Sequence, residues 1–144
     1  MQAWGKILKG LCELSKEKGV NLYILEGDKD LNYYGAQLKE FCKEELYNEE
    51  DFKVFKKVKE NLNTQLEGKG YVILVSPLNL WADVYEYNKR KFVNPVNKDR
   101  PFDVSLDRFR IGFFEEKKEA VEFALSLADK LRKEFNLHLH VFYA

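Results

Sequence analysis

Seven apolar residues, Ala120, Val121, Ala124, Leu127, Ala128, Leu131 and Phe135, recur at helical spacing as one wide stripe. The helix carrying that stripe must bury a whole face. Lys130, Arg132 and Lys133 sit in its last turns, where cations suit the negative end of the helix dipole, and Asn136 can take the left-handed cap. Leu137 to Tyr143 then reads as a strand. A helix with so broad an apolar face must pack on other elements, and the predicted order α-β-α-α-β-β-β-α-β suggests a mixed sheet with helices packed on it.

The rest of the chain fits that scheme. Trp4, Ile7, Leu8, Leu11 and Leu14 predict an amphipathic first helix ended by Gly19. Val20 to Leu25 reads as a buried strand. Asp30 is placed to cap a second helix bearing Leu31, Tyr34, Leu38 and Phe41, and Asn48 with Asp51 resembles a capping box for a third, bearing Phe52, Phe55, Val58 and Leu62. Gly68 and Gly70 end it before a strand at Tyr71 to Val75, and Trp81 to Tyr87 reads as another. Asn88 to Ser105 is polar and irregular. Asp107 to Phe113 alternates, with Phe109, Ile111 and Phe113 on one face and Arg108 and Arg110 on the other. The expected class is α/β of α+β type: a mixed sheet of about five strands with four helices, in a single domain spanning 1–144.

Composition narrows the function. The 144 residues carry 24 Lys plus Arg against 24 Asp plus Glu, so no global field draws in nucleic acid or anionic membrane. No apolar run approaches the length of a membrane span, and Met1 to Gly10 lacks the apolar core of a signal peptide. The two cysteines, Cys12 and Cys42, have no CxxC spacing and fall on helical segments, so buried free thiols in a reducing, cytoplasmic compartment are the expectation. High Lys and Glu usage with a single Met is a thermophile-like composition.

Chemistry concentrates in two stretches. The first is the acidic corner Glu26, Gly27, Asp28 and Asp30, where carboxylates following a strand could hold a hard cation such as magnesium. The run Leu22-Tyr23-Ile24-Leu25-Glu26-Gly27, with Asp30 beyond it, resembles the opening strand and glutamate of the Toprim family. The resemblance spans about ten residues and implies a magnesium-dependent phosphoryl-transfer domain, as in topoisomerases, primases and small nucleases. That family also carries an Asp-x-Asp pair after a later strand, where this chain has Ser76, Pro77, Leu78 and Asn79. Gly27 and the aspartates also suit an ordinary turn and helix cap.

The second stretch runs from Asn88 to Arg110. Lys89, Arg90, Lys91, Lys98, Arg100, Arg108 and Arg110 face only Asp99, Asp103 and Asp107, a local +4 (seven minus three). Tyr85, Tyr87, Phe92 and Phe102 are interleaved or adjacent. Cations for phosphates and aromatic faces for bases are what single-stranded nucleic acid binding requires, and a solvated, charged strand and loop have the same composition. Glu40 to Asp51 is the acidic counterpart, with six carboxylates against Lys43.

Three smaller signals complete the reading. His138 and His140 alternate on the final strand and could share a metal, but two ligands do not make a zinc site. No serine elbow and no phosphate loop is present. Gly112-Phe113-Phe114 followed by a helix is similar in pattern to small DNA- or peptidoglycan-binding modules of sheet-plus-helix type. The leading expectation is therefore a non-enzymatic binding module, using nucleic acid or a protein as partner and open to homodimerisation. A Toprim-like magnesium enzyme and a structural subunit of an assembly are the alternatives.

Overall fold

The computed structural model describes residues 3–29, 32–43, 60–87 and 109–143. In chain order the elements are α1 (Ala3–Lys18), β1 (Tyr23–Lys29), β2 (Asn32–Gln37), α2 (Leu38–Cys42), β3 (Thr64–Glu67), β4 (Tyr71–Ser76), β5 (Trp81–Glu86), β6 (Phe109–Phe114), α3 (Lys117–Phe135) and β7 (His140–Tyr143). Residues 60–62 are also helical. The class is as expected, a mixed sheet with helices packed on it. Among the described residues the sheet has seven strands, in the order β3-β2-β1-β6-β4-β5-β7.

Two of these strands replace predicted helix. The chain leaves β1 through a hairpin into β2, with Leu25 opposite Gly35 and Tyr23 opposite Gln37. The second helix is thus reduced to the single turn and a half of α2. Asn32-Tyr33-Tyr34-Gly35 is poor helix former and good strand former, and the apolar spacing that suggested a helix is here overridden by pairing with β1. β3 then pairs antiparallel with β2. The predicted cap at Asp30 and capping box at Asn48 and Asp51 lie outside the described residues.

Every neighbouring pair is antiparallel except β5 and β7. β6 and β7 therefore run in the same direction, and α3 is the crossover that carries the chain over β4 and β5 between them. Both long helices lie on one face of the sheet; the opposite side is called the far face below. Ile24, Ile73, Val75, Ala82, Val84, Phe109 and Ile111 join α1 and α3 in the main core. The helices approach closely at Gly10, where an added Cβ would stand 2.9 Å from Leu131 Cδ2. The cap at Asn136 is left-handed as expected (φ 53°), and its N–H donates to Arg132 O.

The alternation predicted for β6 holds to Ile111 and then breaks. Tyr71 pairs with Phe114 but Ile73 pairs with Ile111, so three steps on β6 match two on β4. This is a bulge at Gly112-Phe113, and the extra residue reverses the facing of the positions beyond it. Phe113 consequently joins Leu25, Val72 and Tyr87 on the far face, while Phe114 packs 5.4 Å from Phe123 among the helices.

The cysteines also differ from expectation. Cys12 of α1 and Cys42 at the end of α2 form a disulfide with Cα atoms 5.7 Å apart, so neither is a free thiol. Sequence spacing could not show that the β1–β2 hairpin folds α2 back onto α1. The bridge closes a loop of sequence separation 30. Replacing both cysteines by serine should lower unfolding free energy by roughly 3–4 kcal/mol, the loop-closure entropy for this length, as read from denaturant melts with and without reductant. Leu131→Ala, at a site with 0% exposure, should cost about 2–5 kcal/mol through cavity formation in the same assay.

Candidate functional site

The sequence-derived site residues divide into three groups. Glu26 and Asp28 occupy backbone positions in β1, Glu26 pairing with Tyr34, and their side chains, like all of Asp30, fall outside the described residues. Lys89, Arg90, Lys91, Lys98, Arg100 and Arg108 lie outside them too. The remaining three are in the sheet. Tyr87 is fully buried and meets Phe113 edge-on at 6.1 Å, Tyr85 is half-buried, and Arg110 has 1% exposure. Arg110 does point away from Phe109 and Ile111, as alternation required, but into the interior and not onto a solvated face.

Other expectations can be placed as well. His138 precedes β7 and is exposed, while His140 opens that strand. Among the described residues no three His, Cys, Asp or Glu are grouped to hold a metal ion. Where the Toprim resemblance calls for Asp-x-Asp, Ser76 ends β4 and accepts a 3.4 Å hydrogen bond from Asn79 Nδ2. The β1–β2 hairpin stands where a helix cap at the acidic corner was expected.

A groove of about 460 Å³ runs between the C-terminal halves of α1 and α3, lined by Leu14, Glu17, Ser126, Lys130, Lys133 and Glu134 among others. Most of its charges are already matched. The Lys130 ammonium, with only 10% of its side chain exposed, contacts Glu17 (2.8 Å), Glu134 (3.2 Å) and Glu13 (3.3 Å). The hydrogen bond to Glu17, aided by the other two carboxylates, raises its pKa. Lys133 pairs with Asp129 at 3.0 Å. The Lys130 contacts tie α1 to α3, and with the Lys133 pair they engage most of the charges that line the groove.

The far face of the sheet is chemically different. Cross-strand register places Leu25, Arg110, Leu74, Asp83 and Phe142 in one row, all pointing away from α1 and α3. Ser76 stands two residues from Leu74 and shares this face. Thus all three buried polar or charged residues among those described, Ser76, Asp83 and Arg110, lie on this side. Sequence reasoning missed Asp83. The signal was present in Trp81-Ala82-Asp83-Val84-Tyr85, a strand in which an aspartate takes a position between two aromatics.

Asp83 is 7% exposed, and its carboxylate makes no hydrogen bond or ion pair with any described residue. Burial pushes its pKa from 3.8 up to about 6. Because the folded form holds the proton more tightly than the unfolded chain, stability falls as pH rises between about 4 and 6, and the penalty is complete above that window. Asp83→Asn should therefore stabilise the protein at pH 8 by about 1–3 kcal/mol and flatten that dependence, as measured by denaturant melts across pH.

No protein-family model matches the chain, and no solved structure matches it. It is similar to an uncharacterized protein of Aquifex aeolicus (strain VF5), with 38% identity over 119 residues that cover 83% of this chain and 93% of the relative. At that identity and coverage the two share one fold and one ancestry, and the chain belongs to the family of this Aquifex aeolicus protein.

Proposed function

We propose that the protein is a non-enzymatic interaction module that binds by extending its sheet at β7. The carrying observation is the character of that edge. Among the described strands β7 is the last of the sheet, and Phe142 and Tyr143 are 54% and 52% exposed, one on each face. None of its four residues is Lys, Pro or an acid, the usual guards of an edge strand. The opposite edge, β3, is guarded: Thr64, Gln65 and Glu67 are exposed, and Glu67 pairs with Lys69 at 3.6 Å.

The partner that fits is a second copy. A strand without Lys, Arg, Asp or Glu can pair with itself antiparallel without opposing such charges. A two-fold axis normal to the sheet sets Phe142 against the partner's Phe142 on the far face and Val141 against the partner's Tyr143 on the other. Four paired residues bury well under the ~1,200 Å² of a permanent interface, so association is concentration-dependent.

No helix among the described residues is long and apolar enough to cross a membrane. The Cys12–Cys42 bridge favours an oxidising compartment, and a cytoplasmic location agrees with it only in a cell whose interior tolerates disulfides, as in hyperthermophiles.

Light scattering after size exclusion, from about 10 µM to 1 mM, tests the reading at the concentrations a weak interface requires. The mass should rise toward that of a dimer, with amides of 140–143 gaining protection from exchange, and Val141→Pro should hold the chain monomeric. A monomer throughout the range overturns the proposal. So does oligonucleotide binding that survives Val141→Pro, since it would move the function to another surface.

A further inference from the structure

We propose that Asp83, with the aromatic side chains ranged around it on the far face, is a binding site for an organic cation, an ammonium or guanidinium group. The inference goes beyond the β7 edge pairing and does not depend on it.

Register fixes the surroundings of Asp83. Leu74 and Phe142 flank it on the neighbouring strands, and Trp81 and Tyr85 flank it two residues away along β5 on the same face. Three of these four neighbours are aromatic. Trp81 and Tyr85 are half-buried and Phe142 is 54% exposed, so solvent reaches this group of side chains on the β7 side. At their centre stands Asp83, 7% exposed as a residue, whose carboxylate has no hydrogen-bond or ion-pair partner among the described residues.

This combination selects a class of ligand. Aromatic faces attract cations through the ring quadrupole, most strongly where water is excluded. Burial has already cost the carboxylate part of its hydration in the folded protein, so an arriving cation gains a charge-assisted contact with a smaller desolvation cost at Asp83. Phosphate or a carboxylic acid would be repelled. A hard metal ion needs several oxygen ligands, and the neighbouring side chains supply none that is acidic.

The other ionisable groups facing Asp83 from the described elements are few. Tyr85 shares its strand, His140 stands diagonally on β7, and Arg110 lies two strands away across Leu74. Arg110 opposes an incoming cation from two strands away, about 10 Å at the backbone, whereas a cation at the site touches Asp83 directly. Affinity should fall as pH drops through about 6, when Asp83 takes up its proton.

The test uses the full disulfide-bonded chain, at concentrations where it is monomeric, with carbon-13 observation of side-chain carboxyls. Three probes are titrated at pH 7.5: tetramethylammonium, N-acetylarginine methylamide and a glycine peptide interspersed with lysine and arginine. The expected result is a saturable shift of the Asp83 carboxyl and the Trp81 indole, with binding weakened at least tenfold by Asp83→Asn. That variant is isosteric and removes a buried charge, and the wild-type shifts map the site independently of it. A peptide bound more than tenfold tighter than the free cations identifies a partner protein's side chain as the source, and equal affinities identify a free amine. No shift with any probe, or unchanged affinity in Asp83→Asn, overturns the site while leaving the β7 pairing to stand or fall by the Val141→Pro experiment.

Discussion

The position of β6 governs the structure. Among the described strands it alone joins the β3-β2-β1 half of the sheet to the β4-β5-β7 half, pairing with β1 on one side and β4 on the other. Its neighbours become interior strands, and their residues are buried on both faces: Leu25, Val72 and Leu74 away from the helices, Ile24, Ile73 and Val75 toward them. A central strand enclosed on both sides should read as continuously apolar. Phe109-Arg110-Ile111-Gly112-Phe113-Phe114 does so apart from its arginine. Arg110 is therefore best understood as the one charged group of this strand among the described residues, and the same enclosure denies it to solvent.

Much of this architecture was legible because periodicity reports burial directly. α1, α3, β4 and β5 all fall where spacing and glycine punctuation place them, since each has a clear apolar pattern and a local stop signal. The failures have specific causes. In 32–37 an apolar spacing compatible with a helix was overridden by a hairpin, and 64–67 became an edge strand with little hydrophobic patterning to announce it. The bulge at Gly112 turned Phe113 to the opposite face, a change that no count of alternating residues can anticipate. Of the candidate site, the arginine's facing was legible but its burial was not, because enclosure depends on which strands become neighbours. Asp83 was overlooked for the same reason: a lone carboxylate in a strand gains meaning only when register surrounds it.

The helix layer shows how non-local links supplement a modest core. α1 is held to α3 by the close approach at Gly10 and by Lys130, which reaches Glu13 and Glu17 across the interface. It is held to α2 by the disulfide. The exposed members of the ion-pair set contribute little individually, whereas Lys130 is largely enclosed and shared by three carboxylates. The reading of free cysteines fails on the same geometry, because two helices distant in sequence present their thiols to each other.

The two faces of the sheet thus do different work. Toward the helices the buried side chains are apolar, and packing alone accounts for them. On the other side the protein retains Ser76, Asp83 and Arg110 in low-dielectric surroundings, although hydrophobic residues of similar volume would fold as well or better. Asp83 opposes stability at neutral pH, since burial raises its pKa with no described partner to compensate. Of the three, Asp83 is the one whose side chain makes no hydrogen bond or ion pair with a described residue, so neither packing nor pairing within the described sheet accounts for it.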